Sequence, residues 1–328
     1  MTRATTALSG DLRVAAEHAL LAPSIHNTQP WRFVIADGAL EIHADRGRQL
    51  SVLDPTGRQL MISCGCAVFN ARVSLAAAGY DVAVERLPDP NRPDLVARLR
   101  LPTHTAQWLR LGDLDNYVIH RQTNRRHFDD EQVHPSVVHD LVDAVSAEGA
   151  RLLQITDPGQ LQSVARLSQR ADELENIEPA YRAELRSWTS EDPKRRDGVP
   201  AMAVPRVTGN AHDDIPIRDF DTHGMGWLPT ETRSSTSQCL LILSTDGDNQ
   251  LAWLRAGEAL EHLWLQATRL GYVASLFTQL IEVPSTRQQL RTELKLAVNP
   301  QLLIRVGRAS KTAASMRRQL DDVLVQQS

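Results

Sequence analysis

Residues 59–80, QLMISCGCAVFNARVSLAAAGY, are apolar or small on most sides of a helical projection, and no other stretch restricts the fold as strongly. A helix without a polar face has to be enclosed by protein. The pattern therefore predicts a helix from about Arg58 to Ala78 near the centre of the molecule, stopped at Gly79, with Cys64 and Cys66 as small core residues.

The remaining segments read as elements that could enclose such a helix. DLRVAAEHALL (11–21) places Leu12, Ala15, Ala16, Ala19 and Leu20 on one face, so a docked amphipathic helix is expected. WRFVIA and LEIHA alternate and are joined at Asp37-Gly38-Ala39, a hairpin signal. DVAVER and LVARLRL follow as further strands. A second series begins near Tyr117, with a strand QCLLILS, a long helix Leu251 to Leu270 ending at Gly271, and a strand QLLIRVG. NARVSLAAAGY and WLQATRLGY both end a buried helix on Gly-Tyr, which points to an internal duplication. Between Thr189 and Gln238 the chain is rich in Pro, Gly, Asp and Arg without periodicity, and 189–237 is expected to act as a lid.

With 328 residues and 42% apolar side chains, the chain can bury a substantial core. A formal charge of −4 and the lack of a dense basic run argue against nucleic acid or an acidic membrane as partner. Three cysteines without a CxxC pattern argue against a disulfide framework or structural zinc, and a reducing cytoplasm is the expected compartment. No apolar run is expected to reach the roughly 20 residues that span a bilayer. GEALEHLW (257–264) lacks HExxH or ExxH spacing and is expected to be a helix face with Glu258 and His262 exposed, with no metal.

The loop after the first helix, APSIHNTQPW (22–31), is the chemically distinctive segment. Pro23 and Pro30 push the residues before them out of helical geometry, and Ser, His, Asn, Thr and Gln supply neutral donors and acceptors suited to a planar, heteroatom-rich ligand. Trp31 is expected to pack beneath the loop and His26 to lie on the surface.

APSIHNTQPWRF closely resembles the flavin-contacting loop of the nitroreductase superfamily, whose pattern is Pro-Ser, two residues, Asn, one residue, Gln-Pro-Trp. That superfamily's Arg-x-Ser/Thr-x-Arg run is matched by Arg121, Thr123 and Arg125 in HRQTNRRHF, and its C-terminal basic pair by Arg317 and Arg318 in SMRRQLDDVL. With the flavin loop in the first of two series of elements and the phosphate cradle in the second, the chain resembles the fused, double-lobed members called the Acg family. The resemblance covers nearly the whole chain. It implies an α+β fold of two fused nitroreductase-like lobes, 1–115 and 116–328, forming an internal pseudo-dimer that is a monomer or a weak homodimer. It also implies one FMN per chain, since PSxxNxQPW has no other copy.

By that resemblance Arg121, Thr123, Arg125, Arg317 and Arg318 hold the phosphate, and Pro23, Ser24, Asn27 and Gln29 hold the isoalloxazine ring. Thr278 is the candidate donor near flavin N5. No side chain is expected to be catalytic in its own right, because the cofactor carries the electron chemistry. The implied activity passes electrons from NAD(P)H through FMN to a nitro-aromatic, quinone or similar acceptor. The alternative is an FMN-binding or storage protein closed by its lid.

Overall fold

A computed structural model describes residues 2–102, 109–125, 128–190, 192, 194–200, 203, 218, 239–310 and 314–325. The expected lid, 189–237, therefore falls largely outside the described residues.

In chain order the elements are α1 (Thr2–Leu20), β1 (Trp31–Ala36), β2 (Ala39–Ala44), α2 (Arg58–Ala77), β3 (Ala83–Arg86), β4 (Leu95–Arg100), α3 (Asp115–Val118) and α4 (Pro135–Ala147). They continue as β5 (Arg151–Ile155), α5 (Pro158–Ile177), α6 (Pro179–Ser187), β6 (Thr189–Ser190), β7 (Val199–Pro200) and β8 (Cys239–Thr245). The last are α7 (Gln250–Arg269), β9 (Val273–Leu276), α8 (Gln279–Glu282), α9 (Pro284–Glu293) and β10 (Asn299–Gly307).

Eight of the strands form two antiparallel four-stranded sheets, β1-β2-β4-β3 and β5-β8-β10-β9, and β6 pairs with β7 in a short parallel ribbon, so the class is α+β. The β1–β2 hairpin turns through Asp37 and Gly38 at φ 52° and 68°, the left-handed pair that matches strand twist in a two-residue turn. Each sheet draws on its own stretch of chain. The C-terminal end crosses back: Phe33 N donates to Val323 O at 2.8 Å and Val325 N to Phe33 O at 2.8 Å, which extends the first sheet beyond β1.

Between the sheets α2 lies against α7. The absence of a polar face on α2 is explained by its neighbours, since nearly every residue from Arg58 to Ala76 is buried. By length and composition α2 is also apolar enough to cross a bilayer, contrary to the expectation above, but most of it is enclosed by protein. The two helices approach until their backbones touch. A Cβ on Gly65 would stand 2.0 Å from Leu254 O, and one on Gly257 would stand 1.9 Å from Ile62 O.

Glu258 and His262, expected on an exposed face, are not there. Glu258 is 0% exposed and takes bonds from Arg86 Nε (2.6 Å), Arg86 NH2 (2.8 Å) and Arg72 NH1 (2.8 Å). His262 Nδ1 lies 3.2 Å from Glu148 Oε1, and its ring stacks on Phe69 with centroids 4.8 Å apart. The reason is that α7 is covered on this side as well, by β3, α2 and α4, and a carboxylate enclosed there is stable only with cations on it.

Candidate functional site

The segment joining α1 to β1 is a tightly wound turn. His26, Asn27 and Gln29 all have positive φ (45°, 54° and 48°), a conformation that costs a non-glycine residue free energy and persists only where surroundings enforce it. Here the enforcement is visible. Ser24 Oγ accepts from Gln29 N (2.9 Å), Ser63 Oγ of α2 accepts from Ile25 N (3.1 Å), and Arg48 Nε donates to Thr28 O (2.5 Å). The two amide side chains fasten the loop to distant chain. Asn27 Nδ2 donates to Gly198 O (2.9 Å) and Met316 O (3.1 Å), while Gln29 donates to Arg196 O (2.8 Å) and accepts from Arg318 N (2.8 Å). Trp31 is fully buried, as expected of a Trp packed beneath the loop.

This loop forms one wall of a cleft that, counted out to open solvent, holds about 810 Å³ of unfilled space. Pro23, Ser24 and His26 line it from the loop, Ile62, Ser63 and Cys66 from α2, and Leu260 and Trp264 from α7. Ser275 to Gln279, running out of β9 into α8, form the opposite wall with Thr123 and Arg125. Residues 121–125 lie alongside β9, with Thr123 bridged to Ala274 and Asn124 N bonded to Ala274 O at 3.0 Å, and this register sets which of their side chains face the cleft.

A second cavity adjoins the cleft at Thr123. Arg121, Arg317, Gln122 and Ser315 line it, with Leu21 and Ile119 as apolar walls. Both guanidinium groups donate to the same carbonyl, Leu21 O, at 3.1 Å from Arg121 and 3.3 Å from Arg317. Arg121 is 5% exposed, spreads over the Trp264 ring at 5.0 Å, and faces Glu261 Oε1 with its Nε at 3.2 Å. Arg121 NH1 and Arg317 Nε are buried without a hydrogen-bond partner among the described residues. Burial, and then the Arg121 charge, pushes Arg317 down to about 9. Two guanidinium groups this close beside a cavity can take up an anion, and their planar forks suit a phosphate.

Of the residues singled out from the sequence, Pro23, Ser24, Thr123, Arg125 and Thr278 come together on the cleft, and Arg121, Thr123 and Arg317 on the second cavity. Asn27, Gln29 and Arg318 line neither: they are engaged with one another and with backbone carbonyls. Arg125 and Arg121 thus face different cavities. Burial and then Arg218 hold Arg125 down to about 10.

His26 is 5% exposed, not on the surface, because the loop turns inward under Arg218. Burial, then the charges of Arg218 and Arg125, hold its pKa well below the usual value, so its neutral Nε2 accepts from Arg218 NH1 at 2.8 Å. Neither Arg218 nor Glu261 stands out in the sequence. Arg218 stands at the cleft between His26 and Thr278 Oγ1 (3.5 Å) and is ion-paired with Glu282. Nothing local marks it within an aperiodic segment. Glu261 sits three positions from Glu258 on α7, and the only available signal was a further acid on a helix whose other residues are mostly apolar.

No protein-family model matches the chain. A Mycobacterium tuberculosis (strain H37Rv) protein named "Putative NAD(P)H nitroreductase Rv3131" is 32% identical over 325 residues, covering 95% of this chain and 90% of its own length. Another from the same strain, "Putative NAD(P)H nitroreductase acg", is 29% identical over 319 residues, covering 95% and 94%. Among solved structures, a nitroreductase with bound FMN from Desulfitobacterium hafniense DCB-2 is 11% identical with a TM-score of 0.40, covering 64% of this chain and 96% of that one. The chain belongs to the nitroreductase superfamily.

Proposed function

We propose that the chain binds one FMN and transfers electrons from NAD(P)H to a nitro-aromatic, quinone or similar acceptor. The observation that carries this reading is the pair of cavities meeting at Thr123, one cationic with unmet guanidinium donors and the other largely apolar. FMN has the same two-part chemistry, a dianionic phosphate joined through a polar chain to a flat aromatic ring. The names of the M. tuberculosis relatives and the FMN in the D. hafniense structure agree with it.

In this reading Arg121 and Arg317 hold the phosphate and Thr123 spans the junction to the ring. The cleft between Ser24, Ile62, Trp264 and Phe277 encloses the ring and excludes water, and Arg125 and Thr278 offer donors at its edges. Bound flavin would supply the capacity to take up and release two electrons. Asn27, Gln29 and Arg318 serve by fixing the loop and the C-terminal arm against each other. The reading extends to the chain's organisation as two fused lobes, 1–115 and 116–328, supported by two sheets built from separate stretches around one helix pair. Three buried, unpaired cysteines agree with a reducing compartment.

A rival reading, storage of FMN with little turnover, draws on Arg218, whose buried guanidinium already stands in the cleft from within the 189–237 segment. Anaerobic mixing of flavin-loaded protein with NADH or NADPH separates the two. Rapid bleaching of flavin absorbance followed by reoxidation with a nitro-aromatic or quinone supports the oxidoreductase; absence of bleaching supports storage.

Denaturation of loaded protein is expected to release one FMN per chain. Arg317→Ala is expected to weaken FMN by roughly ten- to a hundredfold, the value of a charged hydrogen bond, and to leave riboflavin nearly unchanged. Fluorescence titration of both flavins checks this. Equal losses would move the phosphate away from Arg317, and failure of either flavin to bind would remove the flavin reading.

A further inference from the structure

Behind the second cavity, against Arg121, lies a group that an anion site does not need for charge and that ought to weaken it. Glu261 is fully buried on α7 behind the two arginines, with Asn70 and Cys66 of α2 against it. A carboxylate beside a phosphate dianion repels it, more strongly where water is excluded. A plain structural ion pair would account for Glu261 only in part. It faces Arg121 along one edge, at Nε, and leaves Arg121 NH1 without a hydrogen-bond partner among the described residues.

We infer that Glu261 is the positioning residue of this cavity, keeping Arg121 and Arg317 charged and assembled while the cavity is empty and taking up a proton when a phosphate enters. The inference rests on the flavin reading above. Its logic is electrostatic. Two guanidinium groups sharing Leu21 O repel each other, and with no anion present Glu261 supplies the negative charge that offsets the repulsion. A phosphate takes over that function, and the carboxylate, its arginines now drawn to a dianion and itself cut off from water, is stable only when protonated. The groups that face Glu261 are Arg121 from the segment after α3, Arg317 from the C-terminal arm, and Cys66 and Asn70 from α2. Burial raises Glu261 to about 7, offset in part by Arg121 and Arg317, so a proton is available near neutrality.

The sign follows from linkage. Binding that raises a carboxyl's pKa takes up a proton above the free-site value, so FMN affinity falls as pH rises beyond about 7. The phosphate's own second ionisation, near pH 6, acts below that window and in the opposite sense.

FMN is mixed with the wild-type protein in dilute buffer containing a pH indicator at about pH 7.5. Net uptake approaching one proton per FMN is expected, with none for riboflavin. Between about pH 6.5 and 8.5 the wild-type Kd for FMN should weaken about tenfold and that for riboflavin should stay flat. Glu261→Gln, which keeps the shape but not the titration, should bind FMN with less than a twofold change over the same range. FMN bound without proton uptake and with a pH-independent Kd overturns the inference while leaving the flavin reading intact, as does a Gln variant that keeps the wild-type slope. If neither flavin binds at any pH, the flavin reading falls and this inference with it. Should Glu261→Gln fail to fold, the comparison of FMN with riboflavin on wild-type protein decides alone.

Discussion

Gly257→Ala is expected to prevent folding or to cost at least about 3 kcal/mol, because the added methyl would meet backbone rather than a movable side chain. Its Cβ would lie 1.9 Å from Ile62 O, and the reciprocal change, Gly65→Ala, would place a Cβ 2.0 Å from Leu254 O. The clash can be relieved only by moving α2 and α7 apart, and the cleft draws walls from both helices, so the damage would reach the site. Gly10→Ala in α1 is the control. A Cβ there has nothing within 4 Å, and replacing a helical glycine should stabilise by roughly 0.5–1 kcal/mol. Urea midpoints for the three variants check the pattern. Parity between Gly257→Ala and Gly10→Ala would mean that the helices do not touch as described.

Glu258→Gln is expected to destabilise the protein by about 3 kcal/mol, the lower part of the range for breaking a buried ion pair. The carboxylate accepts three bonds from Arg72 and Arg86, and Arg72 also reaches Glu148, so the network joins α2 and β3 to α7 and the end of α4. A glutamine keeps the shape but has one acceptor oxygen, and its amide nitrogen would face a guanidinium. The arginine side chains retain 18% and 24% exposure, which lets water recover part of the loss. Equilibrium unfolding with the mutant and wild type side by side is the check. A loss under about 1 kcal/mol would show the network to behave as a solvated surface group.

Much of the scaffold was legible in the residues because its signals are local. Helix α2 was marked by the absence of a polar face, and its stop by Gly79, which adopts φ 86°. The β1–β2 hairpin was marked by alternation around Asp37-Gly38. The loop motif was legible too, although the structure engages Asn27 and Gln29 in holding the loop to the C-terminal arm, a link the residues did not reveal.

What the sequence by itself determined, then, is the set of elements and where the distinctive chemistry lies along the chain, since periodicity, turn residues and prolines act on their immediate neighbours. Only the tertiary structure decided which polar residues are enclosed and what each one faces. His26, Glu258 and Glu261 have the sequence character of ordinary surface residues and are buried, while Arg121 and Arg125, four positions apart, open onto different cavities. The physical reason is that the free energy of a charged or polar side chain depends on partners brought from far along the chain: Arg218 for His26, Arg86 for Glu258, Arg317 beside Arg121. Those distances are set by the packing of α2 on α7 and by the return of the C-terminal arm, which no local pattern encodes.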